Sequence, residues 1–305
     1  MAGTQREISE REAYGLLFLV SLIWAGNFIA AKVALQAVGP LTLSALRATL
    51  ATGVLLWYVR FTHQTWPSVS AGDLRIFVTL ALTGLVTNTT IWYYGMHRTL
   101  AINAAILGAM GPVFVALLSA TWLRERLSRL NLLGILVSSA GVVLTVTRGS
   151  VKALLDLDLH PGDFFILVGQ GIWAVYSVYA RQVSRRYSPA VVTAGTYIVS
   201  AVFLVPLSLI ERPWTALPHV TPGIVVAILY AASLVTVSHV WFYRGLRVVS
   251  APVASLTVNL LPFQVLALSW LLLGEPVTWA HVAGALVVIA GVLLATRPSE
   301  RPAPR

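Results

Sequence analysis

The sequence predicts an all-α, polytopic membrane protein with ten transmembrane helices in two inverted five-helix repeats. Of its 305 residues, 57% are hydrophobic and 10% are charged, whereas soluble domains carry about 25% charged residues. Ten apolar stretches are long enough to cross a bilayer, which takes about 20 residues of helix. The second half of the chain also repeats motifs of the first half at a nearly constant spacing.

Short links join the ten predicted spans, so neighbouring spans are expected to pack antiparallel. The spans are numbered in chain order and comprise residues 14–37, 41–60, 74–96, 101–122, 130–147, 163–181, 190–210, 222–243, 251–272 and 279–296. The chain accordingly divides into a tail (1–13), a first repeat (14–147), a linker outside the membrane (148–162), a second repeat (163–296) and a second tail (297–305).

The internal repeat is visible in ordered pairs of identical or similar residues. Ile23-Trp24-Ala25 recurs as Ile172-Trp173-Ala174, an offset of 149 residues. The same offset pairs Lys32 with Arg181, Pro40 with Pro189, Trp92 with Trp241, Tyr94 with Tyr243 and Arg98 with Arg247. One inserted residue later, the pairs are Pro112 with Pro262, Glu125 with Glu275, Gly134 with Gly284 and Gly141 with Gly291. Since each copy has an odd number of spans, the second enters the membrane from the opposite side, as in many secondary transporters.

The distribution of basic residues predicts the orientation. With a cytoplasmic N-terminus, 15 of the 21 Lys and Arg residues lie on the inside and 4 on the outside. The remaining two, Lys32 and Arg47, lie within spans. Positive residues concentrate on the cytoplasmic side of membrane proteins. Both termini are therefore expected in the cytoplasm. The protein itself is expected in the plasma membrane, which for a bacterium is the inner membrane.

Several function classes are excluded by composition. The chain has no cysteine, so it offers no disulfide framework and no thiolate for catalysis or metal binding. Its net charge of +10 is dispersed between apolar segments, which argues against nucleic acid as a partner. No acidic residue lies in the middle of a span, and no His-Glu-x-x-His motif is present. We predict no catalytic residues, no metal ligands and no cofactor, hence no enzyme.

These motifs, in this order and duplicated, resemble the drug/metabolite transporter superfamily, specifically its EamA-type exporters, from about residue 14 to 296. The residues that carry the resemblance are Trp24-Ala25-Gly26-Asn27-Phe28 with Lys32, Pro40 with Arg47, Glu125-Arg126-Leu127 with Gly134 and Gly141, and Gly274-Glu275-Pro276 with Gly284 and Gly291. The resemblance implies export of amino acids, other small metabolites or amphipathic drugs, with the solute and the lipid bilayer as partners.

A central substrate site is predicted from residues near the middle of spans 1 and 6. Trp24 and Asn27 are three residues apart and share a helix face; Trp173 and Tyr176 are their repeat equivalents. Such aromatic and amide groups suit a small amphipathic solute. His239 and Asn259 add polar groups from spans 8 and 9. The alternative is that these side chains pack between helices.

Candidate gates lie at the ends of spans 3 and 8. Trp92 and Tyr93 are placed at the outer face, and Trp241 and Phe242 at the inner face. Aromatic belts at the lipid interface explain both clusters equally well. Pro112 and Pro262 are repeat-equivalent and fall mid-span, where a proline kinks a helix and offers a hinge.

The in-span cations have a structural and a functional interpretation. Lys32 and Arg47 are expected either to pair with backbone carbonyls or to attract an anionic group of a substrate; for Arg47 we favour the structural role. The paired glycines of spans 5 and 10 permit close helix contact within a monomer or in a homodimer. A flippase-like lipid or drug translocator is the alternative function, and a membrane-embedded enzyme a more remote one.

Overall fold

The computed structural model describes residues 8–62, 64, 70–96, 98, 107–108, 110–124, 127–155, 161–184, 186–273 and 278–295. In this part of the chain the α-helices are α1 (Glu10–Ala34), α2 (Pro40–Phe61), α3 (Ala71–Leu80), α4 (Thr87–Met96), α5 (Gly111–Leu118), α6 (Arg129–Val146), α7 (Val151–Leu155), α8 (Pro161–Ser184), α9 (Pro189–Ser208), α10 (Pro222–Ala232), α11 (Leu234–Val248), α12 (Ala251–Ser255), α13 (Leu261–Leu273) and α14 (Trp279–Ala295). Turns of π-helix cover Ala81–Val86 and Ser119–Leu123, and 3₁₀ turns cover Leu209–Glu211, Pro213–His219 and Leu256–Leu260.

The all-α polytopic membrane class is confirmed. Seven of the described helical segments are long and apolar enough to cross a membrane, and three shorter ones are also apolar. Large apolar side chains such as Leu117, Leu136 and Leu286 are exposed on the outside of the bundle, where a bilayer would cover them. The number of ten spans stays a prediction, as do the segment boundaries.

Local sequence signals fix where helices begin. Capping boxes start α1, α3 and α6, with Ser9, Ser70 and Ser128 as the N-cap residues. In each box the serine side chain accepts from a backbone N–H of the first turn. The side chain of the third helical residue in turn accepts from the backbone N–H of the serine. The box at Ser9 explains why α1 begins at Glu10, four residues before the predicted start of span 1.

Two repeat-equivalent helices, α6 and α14, pair closely with each other. Helices α6 and α14 meet through Gly134, Gly141, Gly284 and Gly291. A Cβ atom on any of the four would overlap the opposite backbone; for instance, one on Gly134 would lie 2.5 Å from the Gly291 carbonyl oxygen. Small residues at these positions therefore permit the contact between two helices of the same chain.

Helices α1 and α8 contribute most of the predicted site and lie in equivalent surroundings. In the first repeat, Leu17 of α1 packs against Gly245 of α11. In the second repeat, Ile166 of α8, the equivalent of Leu17, packs against Gly95 of α4. Each central helix is thus held against the end of a helix from the opposite repeat, as an inverted repeat requires.

Several helices are interrupted at repeat-equivalent positions. The π-helical turn around Gly84 separates α3 from α4, and Ser233, 149 residues later, separates α10 from α11. Pro112 and Pro262 are both the second residue of a helix, α5 and α13. The backbone is already helical before each of them, with a 3₁₀ turn leading into α13 and Met110 in the right-handed helical region before α5. That the two prolines kink their spans and act as hinges stays a prediction.

Candidate functional site

The structure brings four of the predicted substrate-site residues together in one aromatic cluster. The ring centroids of Trp24 and Trp173 are 5.9 Å apart in an edge-to-face arrangement. Trp24 also lies 5.3 Å from His239, and Trp173 lies 5.3 Å from Tyr176. Phe242 joins both tryptophans, at 5.4 Å from Trp24 and 6.2 Å from Trp173. Aromatic pairs at these distances stabilise one another by about 0.5–1.5 kcal/mol beyond burial.

Hydrogen bonds orient two members of this cluster. The indole Nε1–H of Trp24 donates to the hydroxyl of Ser238 at 2.9 Å. His239 Nδ1 lies 2.8 Å from the Val235 carbonyl oxygen, one helical turn away. Since a carbonyl accepts, Nδ1 carries the proton in this contact, and the other ring nitrogen, Nε2, can accept from or bind a polar group.

The aromatic packing of Tyr176 depends on a glycine in the opposite wall. A Cβ atom on Gly84 would lie 2.6 Å from the Tyr176 ring. Tyr176 is buried, so its ring occupies the space that the missing side chain leaves. The π-helical turn that contains Gly84 thereby shapes this side of the cluster.

Arg47 lies beside the cluster, whereas the sequence led us to favour a structural role for this residue. Its guanidinium donates to the Tyr197 hydroxyl at 3.1 Å, and the Tyr197 ring meets His239 edge to face at 5.8 Å. The expected pairing of Arg47 with backbone carbonyls at a helix end stays a prediction.

Asn27 faces a small enclosed cavity next to Arg47. The cavity is lined by Asn27, Ser44, Arg47 and apolar residues of α1, α2 and α10. Its volume of about 10 Å³ corresponds to roughly one water-sized group. Asn27 and Arg47 therefore border the same cavity.

Other predicted residues lie elsewhere or outside the described part. Asn259 is buried and donates to the Ser138 hydroxyl of α6 at 3.1 Å, so the structure does not bring it to the cluster. Trp92 lies near Gly108 and Gln170, and Trp241 packs against the core beside Phe242. The side chains of Lys32, Tyr93 and Pro262 fall outside the described residues.

A network of polar side chains ties helices together at one end of the bundle. We call the end where α1 and α3 begin and α8 and α11 terminate the inner end. There Arg247 donates to the carbonyl oxygens of Ser184 and Tyr187, both at 2.6 Å. Arg181 donates to the Leu246 carbonyl. Together these bonds tie α11 to α8 and to the loop that follows it.

Asp73 extends this inner-end network to α3. Its carboxylate accepts from the Tyr187 hydroxyl and lies 3.9 Å from the Arg186 guanidinium. The hydrogen bond to Asp73, followed by burial, raises the pKa of Tyr187 above its ordinary value. Tyr187 therefore remains a protonated donor at neutral pH. This network was not predicted from the sequence.

A matching contact ties α2 and α9 together at the opposite, outer end. Glu211 accepts from the backbone N–H groups of Leu41 and Thr42 and from the Thr42 hydroxyl. A carboxylate at a helix N-terminus interacts favourably with its unpaired N–H groups and its dipole. A Cβ atom on Gly39 would overlap this carboxylate, which explains the glycine at the N-cap.

Comparison with known proteins identifies the chain. The model of the EamA-like transporter family matches residues 11–147 and again residues 160–297. The chain belongs to this family. The duplicated match also confirms the predicted resemblance and its two copies, and the chain is accordingly a membrane transporter of the EamA-like family.

Relatives of the EamA-like chain cover nearly its whole length. It is 28% identical to the uncharacterized transporter YyaM of Bacillus subtilis, over 93% of each chain. An uncharacterized transporter of Archaeoglobus fulgidus is 31% identical, over 92% of this chain and 96% of that one. A protein of Streptantibioticus cattleyicolor named a probable terminal-alkyne amino-acid exporter is 29% identical, over 94% of each.

A solved crystal structure shares the fold of this EamA-like chain. It superposes with a TM-score of 0.78 at 19% sequence identity, covering 94% of this chain and 97% of the other. At this identity the likeness establishes the fold alone.

Proposed function

We propose that the protein is a secondary transporter that exports small amphipathic metabolites, most directly amino acids, by alternating access around the aromatic cluster. The observation that carries this proposal is the meeting of repeat-equivalent Trp24 and Trp173 between the two halves, next to His239 and Arg47. Rings and a few polar groups suit a solute with an apolar body and charged ends. The amino-acid exporter among the relatives supports the same solute class.

The export direction that we propose depends on which side of the membrane the inner end faces. We propose that the inner end faces the cytoplasm, because of the distribution of basic residues. The network of Asp73, Arg181, Tyr187 and Arg247 then lies on the cytoplasmic side, where its bonds tie α8 to α11 and α3 to the loop after α8. Export would require this network to open to admit solute from the cytoplasm and to close again before release.

The test is transport by purified protein in proteoliposomes. Vesicles loaded with unlabelled amino acids are diluted into a panel of the same radiolabelled amino acids, and exchange is followed. We expect exchange of apolar amino acids by vesicles that contain the protein and no exchange by vesicles that lack it. The absence of exchange for the whole panel would contradict the proposed solute class.

A lipid or drug translocator is the second candidate, and one observation favours it. An apolar groove of about 620 Å³ lies between α1, α10 and α13, lined by Ile23, Gly26, Val226, Tyr230 and Leu268 among others. It lies on the outside of the bundle, which would open it to lipid. Protein-dependent movement of a fluorescent phospholipid between leaflets, without amino-acid exchange, would favour this candidate.

A further inference from the structure

The apolar groove between α1, α10 and α13 is as long as one leaflet of a bilayer is deep. On α1 its lining residues run from Leu22 to Val33, a separation of 11 residues that corresponds to about 16 Å of α-helix. The hydrocarbon core of a bilayer is about 30 Å thick. On α10 the lining residues begin at Gly223. Since α1 terminates and α10 begins at the outer end of the bundle, the groove extends from near the middle of α1 to that end.

The lining of the groove offers no polar partner to a ligand. Of the described residues that line it, Tyr230 alone has a polar side-chain group, and its hydroxyl already donates to the Ile23 carbonyl oxygen at 3.0 Å. Water occupies a cavity only where several polar groups bond to it. An empty groove would lose the dispersion contacts of its walls. In a membrane the groove is therefore filled by apolar atoms.

The dimensions of the groove decide between apolar occupants. Spread over its length, the volume of about 620 Å³ gives a mean cross-section of roughly 40 Å². An α-helix that is about 10–12 Å across has a cross-section of about 80–110 Å², so a helix of a second copy does not fit into the groove. A single hydrocarbon chain is thinner than a helix, and the surrounding bilayer supplies it.

We propose that the groove binds one acyl chain of a membrane lipid from the leaflet at the outer end of the bundle. Leu22 and Val226 of its lining are exposed on the outside of the bundle, so the chain enters sideways while the head group stays at the membrane surface. Ala30 and Ala227 line the groove and also the small cavity that Asn27 borders. The chain thus covers the bilayer side of this wall. The inference goes beyond the proposed function and holds whichever solute is carried.

A photoreactive lipid tests where acyl chains contact the protein. The protein is reconstituted into phosphatidylcholine vesicles in which part of the lipid carries a diazirine in one acyl chain. After irradiation, the labelled residues are mapped by mass spectrometry of peptides. Ala227 lines the groove and is 6% exposed, whereas Val202 on α9 is 68% exposed. Lipids that only surround the protein would label the Val202 peptide more strongly, and a chain held in the groove should reverse this order.

Filling the groove should remove the labelling of Ala227. Val226 lines the groove and is 66% exposed, so Val226→Trp adds a large ring where the chain would lie. Val202→Trp, at a valine of nearly equal exposure on α9, is the matched control and should keep the labelling. If Val226→Trp does not insert, Gly223→Leu replaces it, because a Cβ atom there meets nothing closer than the Thr221 hydroxyl at 3.8 Å.

Three results would overturn the acyl-chain site. The first is stronger labelling of the Val202 peptide than of Ala227 in the wild type. The second is labelling of Ala227 that persists in the folded Val226→Trp or Gly223→Leu variant. The third is loss of the Ala227 labelling when L-leucine is added to the vesicles, which would assign the groove to the solute instead.

Discussion

The indole rings of Trp24 and Trp173 meet edge to face with their centroids 5.9 Å apart. The two residues occupy the same position of the two repeats, so their contact lies where the halves of an inverted repeat adjoin. A site at such an interface can be reached from either side when the halves rock against each other. The mechanism that we propose depends on this contact and on the networks at the two ends of the bundle.

The close contact of the Tyr176 ring with Gly84 predicts that a side chain at position 84 lowers stability. A smaller side chain at position 176 should restore it. Gly84→Ala would place a Cβ atom 2.6 Å from the buried Tyr176 ring, and overpacking of this kind costs about 1–3 kcal/mol. We expect lower thermal stability in detergent. Gly53→Ala, whose Cβ atom meets nothing within 4 Å, should not show it. Adding Tyr176→Asn, the residue of the other repeat, should restore most of the loss; no recovery would show that the clash lies elsewhere.

Opening of the inner end should follow from loss of Arg247. Its two bonds to carbonyl oxygens tie α11 to α8, and a shift of about 1.4 kcal/mol changes a two-state ratio tenfold. On this cysteine-free background, Ser177→Cys places a thiol at a buried position of α8. We expect Arg247→Ala to increase labelling of that thiol, whereas Arg60→Ala, an exposed residue, should not. Equal labelling in both would mean that the inner-end network does not control access.

The contact of Glu211 with α2 predicts a graded loss of stability. Glu211→Ala removes three hydrogen bonds at the helix N-terminus, and bonds to charged groups contribute about 1.5–3 kcal/mol each. Glu211→Gln keeps an acceptor but loses the charge and should be milder. Thermal unfolding in detergent measures both, with the exposed Glu10→Ala as control. If Glu211→Ala unfolds at the same temperature as the control, the contact is not stabilising.

The distribution of basic residues predicts the topology. A reporter fused after Arg305 should report the cytoplasm, and one inserted at Asp156 should report the outside, because 15 basic residues lie on one side and 4 on the other. Activity of both reporters on the same side would contradict the ten-span arrangement. The result also decides whether the network around Arg247 faces the cytoplasm.

Sequence reasoning could find Trp24, Trp173, Tyr176 and His239 because the repeat and the helical period both place them mid-span. It could not establish the roles of Arg47 and Glu211. Their partners, Tyr197 and Thr42, lie 150 and 169 residues away in sequence, and such pairings depend on how helices pack. The repeat gave no help for Arg47, because its equivalent is Thr196.

The positions of the helix breaks were also beyond the sequence patterns. Pro112 and Pro262 predict a bend, and the structure adds that Pro262 directly follows a 3₁₀ turn over Leu256–Leu260, which the sequence did not indicate. No proline stands at the helix breaks at Gly84 and Ser233, and the apolar pattern of the sequence continues through both. The two breaks are recognised as repeat-equivalent when the offset of 149 residues is combined with the observed positions of the π-helical turn and of Ser233.

Solute exchange by the tryptophan variants tests the central claim most directly. Proteoliposomes containing the wild type, Trp24→Ala, Trp173→Ala or Trp57→Ala are compared at equal protein content; Trp57 is 64% exposed on the outside of the bundle and is the matched control. If the rings form the wall that packs against the solute, each central variant loses about 1–3 kcal/mol of contact. This loss corresponds to a rise of about 5- to 150-fold in the solute concentration for half-maximal exchange. Trp57→Ala should exchange as the wild type does. Normal exchange by both folded central variants would contradict the account and return Trp24 and Trp173 to helix packing.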